Sequence, residues 1–363
     1  MKKILYFIQL PPPVHGVSKI NEIVYNSKII NQNINKSLLE IKFSSEVNEL
    51  NKLTIKKILT FIKLNIQLRN KINKIRPNFI YFTINPPFKG FYRDIFFVLL
   101  IKVLKVKPIY HLHSKGIETK IRNKALKQIY KFIFSNSIVI HLSKSLQERE
   151  IMPLNLKNSS LFFVESGIEH VSINNFIKKE DSFVRLLFLS NIFTSKGIFV
   201  LLETFKLLSE KINYIKLDMV GDSSSKENNE KIGNFIANNF LADRIKYHRL
   251  KSLDEKHQFL RNADIFVLPT LNDTFPLVLL EAMQFGLPVI STFEGGIAEI
   301  VDDGVTGFLV EKNNVHELAK KIETLVKDHK LRKKMGEKGR QKFLENFTLD
   351  KFEYKMMNIF QDI

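Results

Sequence analysis

Residues 264–291, DIFVLPTLNDTFPLVLLEAMQFGLPVIS, contain the pattern that decides the fold. The run 265–268 is rich in β-branched and aromatic side chains and is closed by a proline, which predicts a buried parallel strand. A loop at 270–274 precedes a predicted helix at 276–285, which ends at a glycine, and a second strand is predicted at 287–291. Strand, loop, helix and strand make a βαβ unit. Its loop lies at the carboxyl ends of the strands, where open α/β sheets bind ligands.

The start of this helix predicts an anion site. Pro276 suits the first helical turn, where its missing N–H has no intrahelical partner, and Thr274 is the predicted N-cap. The N–H groups of residues 275–278 lie at the positive end of the helix dipole. Asp273 and Glu281, with seven residues between them, flank these donors. A nucleotide-sugar has hydroxyls at both ends and a diphosphate in the middle, so it would match this layout. The spacing alone is more typical of a solvated loop acid and a surface helix acid.

Two phrases, TFPLVLLEAMQFGLPVIST at 274–292 and GGIAEIVDDGVTGFLV at 295–310, resemble the signature of the group-1 glycosyltransferases. This is the large retaining class, family 4, with the GT-B fold and the hallmark E-x7-E. The resemblance implies that Asp273 contacts the transferred sugar and that Glu281 contacts the ribose of the donor. Asp273 stands where the family usually has a glutamate, so its reach is shorter by one methylene.

Length and composition fit two lobes of ordinary size. The chain has 363 residues, 44% of them hydrophobic, which is enough for full cores. It contains no cysteine, which agrees with a cytoplasmic protein. The resemblance implies an α/β fold of the GT-B type, with two Rossmann-like lobes whose parallel sheets face a central cleft. We place an acceptor-binding lobe at 1–174 and a nucleotide-sugar-binding lobe at 175–346, and expect a helix at 347–363 to return to the first lobe.

The positive charge is concentrated in the first half of the chain. The formal net charge is +19, with 28 Lys and Arg against 9 Asp and Glu in residues 1–165, and 28 against 28 in residues 166–363. Residues 50–75 predict a basic amphipathic helix, and residues 89–107 repeat the combination of basic and apolar side chains. These segments either pack on the first sheet with solvated lysines or bind an anionic membrane surface. No apolar run reaches the ~20 residues that a membrane-spanning helix needs.

Two candidate residues come from the first lobe. His113 follows a predicted strand in the segment HLHS, so it would lie at the carboxyl end of that strand. The resemblance places this histidine beside the donor sugar, where it could bind a sugar hydroxyl or assist the acceptor. The first loop, PPPVHGVS, carries His15 and Gly16 where the family often has two glycines. Gly16 still permits a close approach of the backbone to the diphosphate.

The first loop of the second lobe, SNIFTSKG at 190–197, supplies a candidate cation. Lys196 and Gly197 match the lysine and glycine of the family, and a lysine beyond a strand end suits a diphosphate. The family's usual glycine and arginine are replaced here by Ser190 and Asn191. Lys256, in a loop-to-helix segment, is therefore a candidate for the second cation.

The sequence predicts transfer of a sugar, with retention, from a nucleoside-diphosphate donor such as a UDP- or GDP-sugar to a hydroxyl acceptor. We expect no metal, since nothing resembles a D-x-D metal clamp, and no cofactor. The predicted catalytic residues are His113, Asp273 and Lys196. The predicted donor-binding residues are Gly16, Asn191, Lys196, Lys256, Phe275, Pro276, Leu277, Val278 and Glu281.

The acceptor and the location are broader hypotheses. In this hypothesis, a cytoplasmic enzyme bound at the inner face of the membrane glycosylates a lipid-linked or other precursor of a surface polysaccharide or a glycolipid. Alternatives are a catalytically inactive GT-B scaffold, a sugar-nucleotide epimerase with the same two lobes, and a basic protein that binds membranes or nucleic acid. We do not expect nucleic acid as a partner, because the charge is spread over a whole lobe and no reading element is present.

Overall fold

A computed structural model describes residues 1–12, 16–42, 55–86, 90–172, 182–222, 226–249 and 252–363. The chain forms two compact units. The first contains residues 1–166 together with 352–363, and the second contains residues 167–351. This division falls earlier than the boundary at 174/175 that the sequence suggests. One reason is that Ile168 exchanges backbone hydrogen bonds with Phe347 and Leu349, which ties the segment after residue 166 to the second unit.

The first unit is built on six described strands, all paired in parallel. The strands are β1 (Lys2–Ile8), β2 (Ile34–Glu40), β3 (Phe79–Ile84), β4 (Lys107–Leu112), β5 (Ile138–His141) and β6 (Ser160–Phe163). The helices are α1 (Gly16–Asn26), α2 (Ile55–Ile75), α3 (Gly90–Val103), α4 (Ile117–Lys120), α5 (Lys124–Phe134) and α6 (Lys144–Glu150).

The second unit repeats this plan with six more described strands, again all parallel. Its strands are β7 (Val184–Leu189), β8 (Ile215–Val220), β9 (Ile245–His248), β10 (Ile265–Leu268), β11 (Val289–Thr292) and β12 (Gly307–Val310). The helices are α7 (Ile198–Ser209), α8 (Lys226–Asn238), α9 (Leu253–Asn262), α10 (Leu277–Gln284), α11 (Ile297–Ile300), α12 (Val315–Lys327), α13 (His329–Asn346) and α14 (Leu349–Asp362), the last of which continues into the first unit.

Strand order places the ligand-binding edge of each sheet. The second sheet has the order β12-β11-β10-β7-β8-β9, so the chain reverses its direction of growth between β7 and β10. The first sheet has the order β2-β1-β3-β4-β5-β6, and its reversal lies between β1 and β3. Loops that follow the strands at such a switch point diverge and leave a crevice at the carboxyl edge. In the second sheet these are the loops after β7 and β10.

The interior of each unit explains why the strand predictions hold. Every residue of β10 and β11 is buried, as expected for parallel strands covered on both faces. The polar strand β2 was not predicted, because its sequence INKSLLE lacks a hydrophobic pattern and it pairs only at the edge of the sheet. The predicted return of the last helix is confirmed. The Lys2 ammonium donates to the carbonyls of Phe360 and Gln361, at 3.2 and 2.7 Å.

Candidate functional site

The loops after β7 and β10 are held together by one carbonyl. Ser195 O accepts hydrogen bonds from the backbone N–H groups of Leu271 and Asn272, at 2.8 and 3.1 Å. Gly197 packs so closely that a Cβ atom there would lie 1.8 Å from the carbonyl oxygen of Pro269. Only glycine fits this contact, and its φ of +78° also favours glycine. The two loops at the switch point therefore form one rigid platform.

This platform joins two of the predicted site residues. The Lys196 ammonium lies 2.5 Å from the Asp273 carboxylate, with the side chains 22% and 15% exposed. The second carboxylate oxygen of Asp273 accepts from the N–H of Thr274, at 3.0 Å. Both charges are thus oriented at the carboxyl edge of the sheet while they remain accessible from one side.

The start of α10 differs from the sequence prediction in one detail. Pro276 itself occupies the N-cap position, with φ −72° and ψ 111°, and no side chain caps the helix. The prediction of Thr274 as the N-cap was therefore wrong. The Thr274 carbonyl instead accepts from the N–H of Gly296, at 2.8 Å, because the glycine turn after β11 packs against this loop. A Cβ atom at Gly295 would lie 2.4 Å from the carbonyl oxygen of Asp273.

The residues that form the predicted anion site at this helix start differ in solvent exposure. Phe275 is only 6% exposed and packs its ring 6.2 Å from that of Phe347. Leu277 and Val278 are half-buried on the first turn of α10. Since no side chain caps this helix, its first N–H groups are available to a ligand at the positive end of the helix dipole.

Glu281 lies one turn further along α10 and pairs with a residue from α9. Its Oε1 atom is 2.5 Å from the Lys256 ammonium, with the side chains 19% and 16% exposed. Its Oε2 atom is buried and has no hydrogen-bond partner among the described residues. A buried carboxylate oxygen without a donor costs about 1–3 kcal/mol or more relative to a satisfied one. The arrangement therefore fits an incoming hydroxyl donor.

The remaining predicted donor-binding residues are more exposed to solvent than Lys196, Asp273 and Glu281. Asn191 is exposed at the end of β7, and its carbonyl accepts from the N–H of Phe193, at 2.8 Å. Gly16 is the exposed first residue of α1 in the first unit, with no atom within 4 Å of a Cβ built there. His15, whose role the sequence left open, lies outside the described residues.

In the first unit, His113 lies against two other imidazoles at the carboxyl edge. His111, the fifth residue of β4, has its ring centroid 4.1 Å from that of His113. The Tyr81 hydroxyl lies 2.5 Å from Nδ1 of His111. Burial lowers the pKa of His111 well below its usual range, and burial lowers the pKa of His141 to about 3, with the charges of neighbouring groups adding to both shifts. These two rings therefore stay neutral at pH 7.

A buried carboxylate supports the segment that follows His113. Glu150, from α6, is 3% exposed and accepts the backbone N–H groups of Gly116, Ile117 and Glu118. The Ser114 hydroxyl donates to the carbonyl of Pro86. Sequence reasoning found His113 but missed Glu150, His111 and His141. The H-x-H pattern at 111–113 is a signal that could have identified His111. Nothing in the sequence around Glu150 distinguishes this residue from a surface acid.

The described residues contain neither a cluster of metal ligands nor a membrane-spanning helix. No group of three or more His, Asp or Glu side chains is arranged to hold a metal ion in the part of the chain that the structure describes. None of the described helices is both long enough and apolar enough to cross a membrane.

Fold and site together define a two-unit protein of the GT-B type, and comparisons with known proteins agree. The family model for group 1 glycosyl transferases matches residues 172–342. An uncharacterized glycosyltransferase of Methanocaldococcus jannaschii is 30% identical over 73% of this chain and 71% of that protein. The chain belongs to the group-1 glycosyltransferases.

Two further similarities extend this result. The capsular polysaccharide biosynthesis glycosyltransferase CapM of Staphylococcus aureus is 30% identical over 60% of this chain and 59% of that protein. Among solved structures, Anabaena HepE in complex with UDP superposes with a TM-score of 0.73 and 16% identity over 100% of both chains. At that identity, the likeness shows the fold alone.

Proposed function

We propose that this protein transfers a sugar, with retention, from a nucleoside-diphosphate-sugar to a hydroxyl acceptor, and that its second unit binds the donor. The observation that carries the proposal is the buried, unpartnered Oε2 atom of Glu281 beside an uncapped helix start. A ribose hydroxyl would donate to this atom, and the first N–H groups of α10 would bind the diphosphate. This assignment agrees with the roles that the family resemblance implies.

The charges of the site fit the chemistry of the departing diphosphate. The bond between the anomeric carbon and the diphosphate oxygen breaks, the acceptor oxygen bonds to that carbon, and the acceptor proton passes to the leaving group. Lys196 and Lys256 would stabilise the developing charge, and each is held near its place by a carboxylate in the structure. The two lysines and the two carboxylates, Lys196, Asp273, Lys256 and Glu281, carry no net charge together. The negative charge of the donor would therefore be stabilised by the amino end of α10 and by the two lysine side chains, once they turn from their carboxylates towards the diphosphate. No metal ion is needed in this scheme.

We assign His113 and Asp273 to the sugar itself. Asp273 would accept a hydroxyl of the transferred sugar, and His113 would bind a sugar hydroxyl or assist the acceptor. Proton NMR of the product tests retention, because the anomeric coupling constant distinguishes the two configurations.

A thermal-shift panel of nucleoside diphosphates and their sugars tests the donor site. A matching nucleotide should raise the melting temperature, since a ligand that binds only the folded state stabilises it. Glu281→Ala should weaken binding of the best nucleotide roughly 10- to 100-fold, in line with the loss of a hydrogen bond to a charged group. Glu203→Ala is the matched control, because Glu203 is an exposed helical glutamate on α7. Unchanged affinity in Glu281→Ala would remove the basis of the proposal.

We further propose that the acceptor is part of a surface polysaccharide or glycolipid precursor and that the first unit docks on an anionic membrane surface. The name of CapM supports the first part, and the outer faces of two helices support the second. On α2 and α3, exposed apolar side chains stand among exposed cations such as Lys63, Arg69 and Lys74. The exposed apolar residues are Ile55, Ile58, Leu59, Ile62 and Ile66 on α2, and Tyr92, Phe96, Leu99 and Val103 on α3.

These two helices form one surface rather than two separate patches. The rings of Phe61 on α2 and Phe96 on α3 lie 5.7 Å apart. An apolar face of this extent with a basic rim matches an anionic bilayer, where apolar burial and attraction to acidic headgroups add. This would place the enzyme at the inner face of the membrane, beside a lipid-linked acceptor.

Sedimentation with vesicles tests this docking. The protein should bind vesicles that contain phosphatidylserine, and binding should fall as salt is raised, because screening weakens the attraction. Phe96→Asp should reduce binding at least tenfold. Phe240→Asp is the control, since Phe240 is 94% exposed in the second unit. Binding that is insensitive to both salt and Phe96→Asp would count against docking through this surface.

A further inference from the structure

A basic cavity lies at the opposite edge of the second sheet from the candidate donor site. It is formed where α9 and α10 end, before β10 and β11 begin, and against the side of α13. Its volume is about 330 Å³, and its lining includes Arg261, Asp264, Phe285, Arg332, Lys333 and Arg340. Since liquid water occupies about 30 Å³ per molecule, this space holds a small anion and several waters. It lies one length of α10, roughly 12 Å, from the amino end of that helix.

The cavity concentrates positive charge in a part of the chain that is otherwise balanced. Residues 166–363 contain 28 Lys and Arg and 28 Asp and Glu, and so have no net charge. Among the lining residues, however, four are Lys or Arg and one is acidic. The single carboxylate, Asp264, accepts from the N–H of Arg185 through one oxygen, at 2.9 Å. Its other oxygen lies 4.0 Å from Nε of Arg332, so Asp264 already has a partner among the four cations. It is therefore poorly placed to neutralise the whole group.

Two of the four cations, Arg261 and Arg332, have partners within the fold. The Arg261 guanidinium lies over the Phe285 ring, 5.8 Å from its centroid. Arg332 donates to the carbonyls of Leu325 and Val326 at the end of α12, at 2.7 and 3.3 Å, which fixes one wall. The Lys333 side chain is 68% exposed, and within the described part of the chain its ion-pair contact is a long one with Glu337, at 4.0 Å. Arg340 is half-buried and has no hydrogen bond or ion pair within the described residues. A partly desolvated guanidinium with no acceptor favours an anionic partner.

The shape of the cavity is fixed by a close helix contact. A Cβ atom at Gly336 on α13 would lie 1.9 Å from the carbonyl oxygen of Gly286, so the end of α10 touches α13 directly. Arg332, Lys333 and Arg340 are thereby presented from one helix to the turn that leads into β11. Guanidinium groups bind phosphate oxygens in a bidentate manner, so the chemistry of the lining suits a phosphate group.

We propose that this cavity binds a phosphate-bearing anion, separate from the donor, with Arg340 and Lys333 as its principal ligands. The phosphate belongs either to a small soluble compound or to a lipid headgroup. The proposal does not depend on the function assigned to the donor site, because it uses none of that site's residues.

Isothermal titration of inorganic pyrophosphate tests the soluble form of this ligand. The full-length protein carries Lys196→Ala, so that the donor site contributes little to the signal. Arg340→Gln should weaken saturable binding at least tenfold, and Lys333→Gln about threefold. Lys338→Gln is the matched control, because Lys338 is exposed on the same helix and does not line the cavity. Lys333 is so exposed that its replacement cannot unfold the protein, which keeps the test valid if Arg340→Gln is unstable.

A vesicle arm separates the two sources of phosphate. The same variants are sedimented with phosphatidylcholine vesicles that contain or lack phosphatidic acid. If Arg340→Gln and Lys333→Gln reduce binding only to the phosphatidic acid vesicles, the ligand is a headgroup. If they reduce only the binding of pyrophosphate, it is a soluble compound. If neither variant differs from Lys338→Gln in either arm, the proposal is overturned.

Discussion

The loop region after β4 in the first unit and the loops after β7 and β10 in the second unit both lie at the carboxyl edge of a six-stranded parallel sheet, yet their chemistry differs. In the first unit, the neutral imidazoles of His111 and His141 are buried, and the Tyr81 hydroxyl contacts that of His111. In the second, ammonium and carboxylate groups are joined in pairs and remain partly exposed. The parallel α/β backbone therefore sets where a site lies but not its charge. Buried neutral groups should respond to pH, whereas paired groups should respond to the loss of a partner.

The largest expected effect is a loss of transfer activity on replacing Asp273, in the ion-paired site of the second unit. We expect Asp273→Ala to lower transfer roughly 100- to 1000-fold, because a contact with the reacting sugar strengthens in the transition state. Nucleotide binding should change less than threefold, in contrast to Glu281→Ala. Steady-state kinetics together with nucleotide titration measure the two quantities.

Asp273→Glu sharpens the same test. It introduces the acid that the family usually has, so activity should stay within about tenfold of the original. If Asp273→Ala weakened nucleotide binding as severely as transfer, Asp273 would not contact only the sugar. The proposed roles, with Asp273 at the sugar and Glu281 at the ribose, would then be wrong.

The next effect concerns the packing that holds Asp273 in place. Gly295→Ala would put a Cβ atom 2.4 Å from the carbonyl of Asp273 and 2.5 Å from that of Thr274, at a φ of +58°. Since backbone atoms must move, we expect the free energy of unfolding to fall by about 3 kcal/mol. Chemical denaturation monitored by circular dichroism gives this value.

Gly233→Ala is the control for that experiment. Gly233 lies within α8, and no atom is within 4 Å of a Cβ built there. Alanine has the higher helix propensity, so this variant should gain up to about 1 kcal/mol. Equal losses in both variants would contradict the steric argument.

The stability of the first unit should depend on pH through its buried histidines. Folding lowers the pKa of His141 from 6.5 to about 3, and lowers that of His111 in the same direction. Below pH 6.5 the unfolded chain therefore binds protons that the folded chain does not. The stability that these histidines contribute is complete above this pH and decreases as the pH falls, on the order of 1 kcal/mol per pH unit for each histidine that stays neutral in the folded state.

Hydrogen exchange by mass spectrometry measures this loss separately in the two units. Protection of β4 and β5 should decrease between pH 6.5 and 4. His141→Gln should remove the contribution of one histidine to the slope, while the neighbouring His113, Arg149 and His111 remain. A slope that is the same in His141→Gln would show that the cluster takes up protons without unfolding.

The smallest expected effect concerns one hydrogen bond between the loops. The Thr292 hydroxyl donates to the carbonyl of Thr270, at 2.6 Å, and is buried. Thr292→Val keeps the shape and removes the donor, so the free energy of unfolding should fall by about 1 kcal/mol. Thr324→Val, at an exposed position of α12, should change it by less than about 0.5 kcal/mol. Equal changes in the two variants would show that this hydrogen bond contributes nothing to stability.

Local patterns predicted most of the secondary structure of this chain. The run 265–268 was assigned to the strand that is observed, and Gly286 has the left-handed conformation, with φ +72°, that its place after a helix requires. The polar edge strand β2 could not be predicted, because its stability comes from pairing with β1 and not from its own residues. The N-cap at Thr274 was wrong for a similar reason, since a glycine turn from another loop binds the Thr274 carbonyl.

The sequence by itself determined the α/β class, the order of the strands along the chain and the spacing of Asp273 and Glu281, because these depend on periodicity and on a local motif. Only the tertiary structure decided that Lys196 pairs with Asp273 and Lys256 with Glu281, across 77 and 25 residues of chain. It also decided that Glu150 supports the segment after His113. Such partners depend on which strands become neighbours in a sheet, and sequence separation carries no information about that choice.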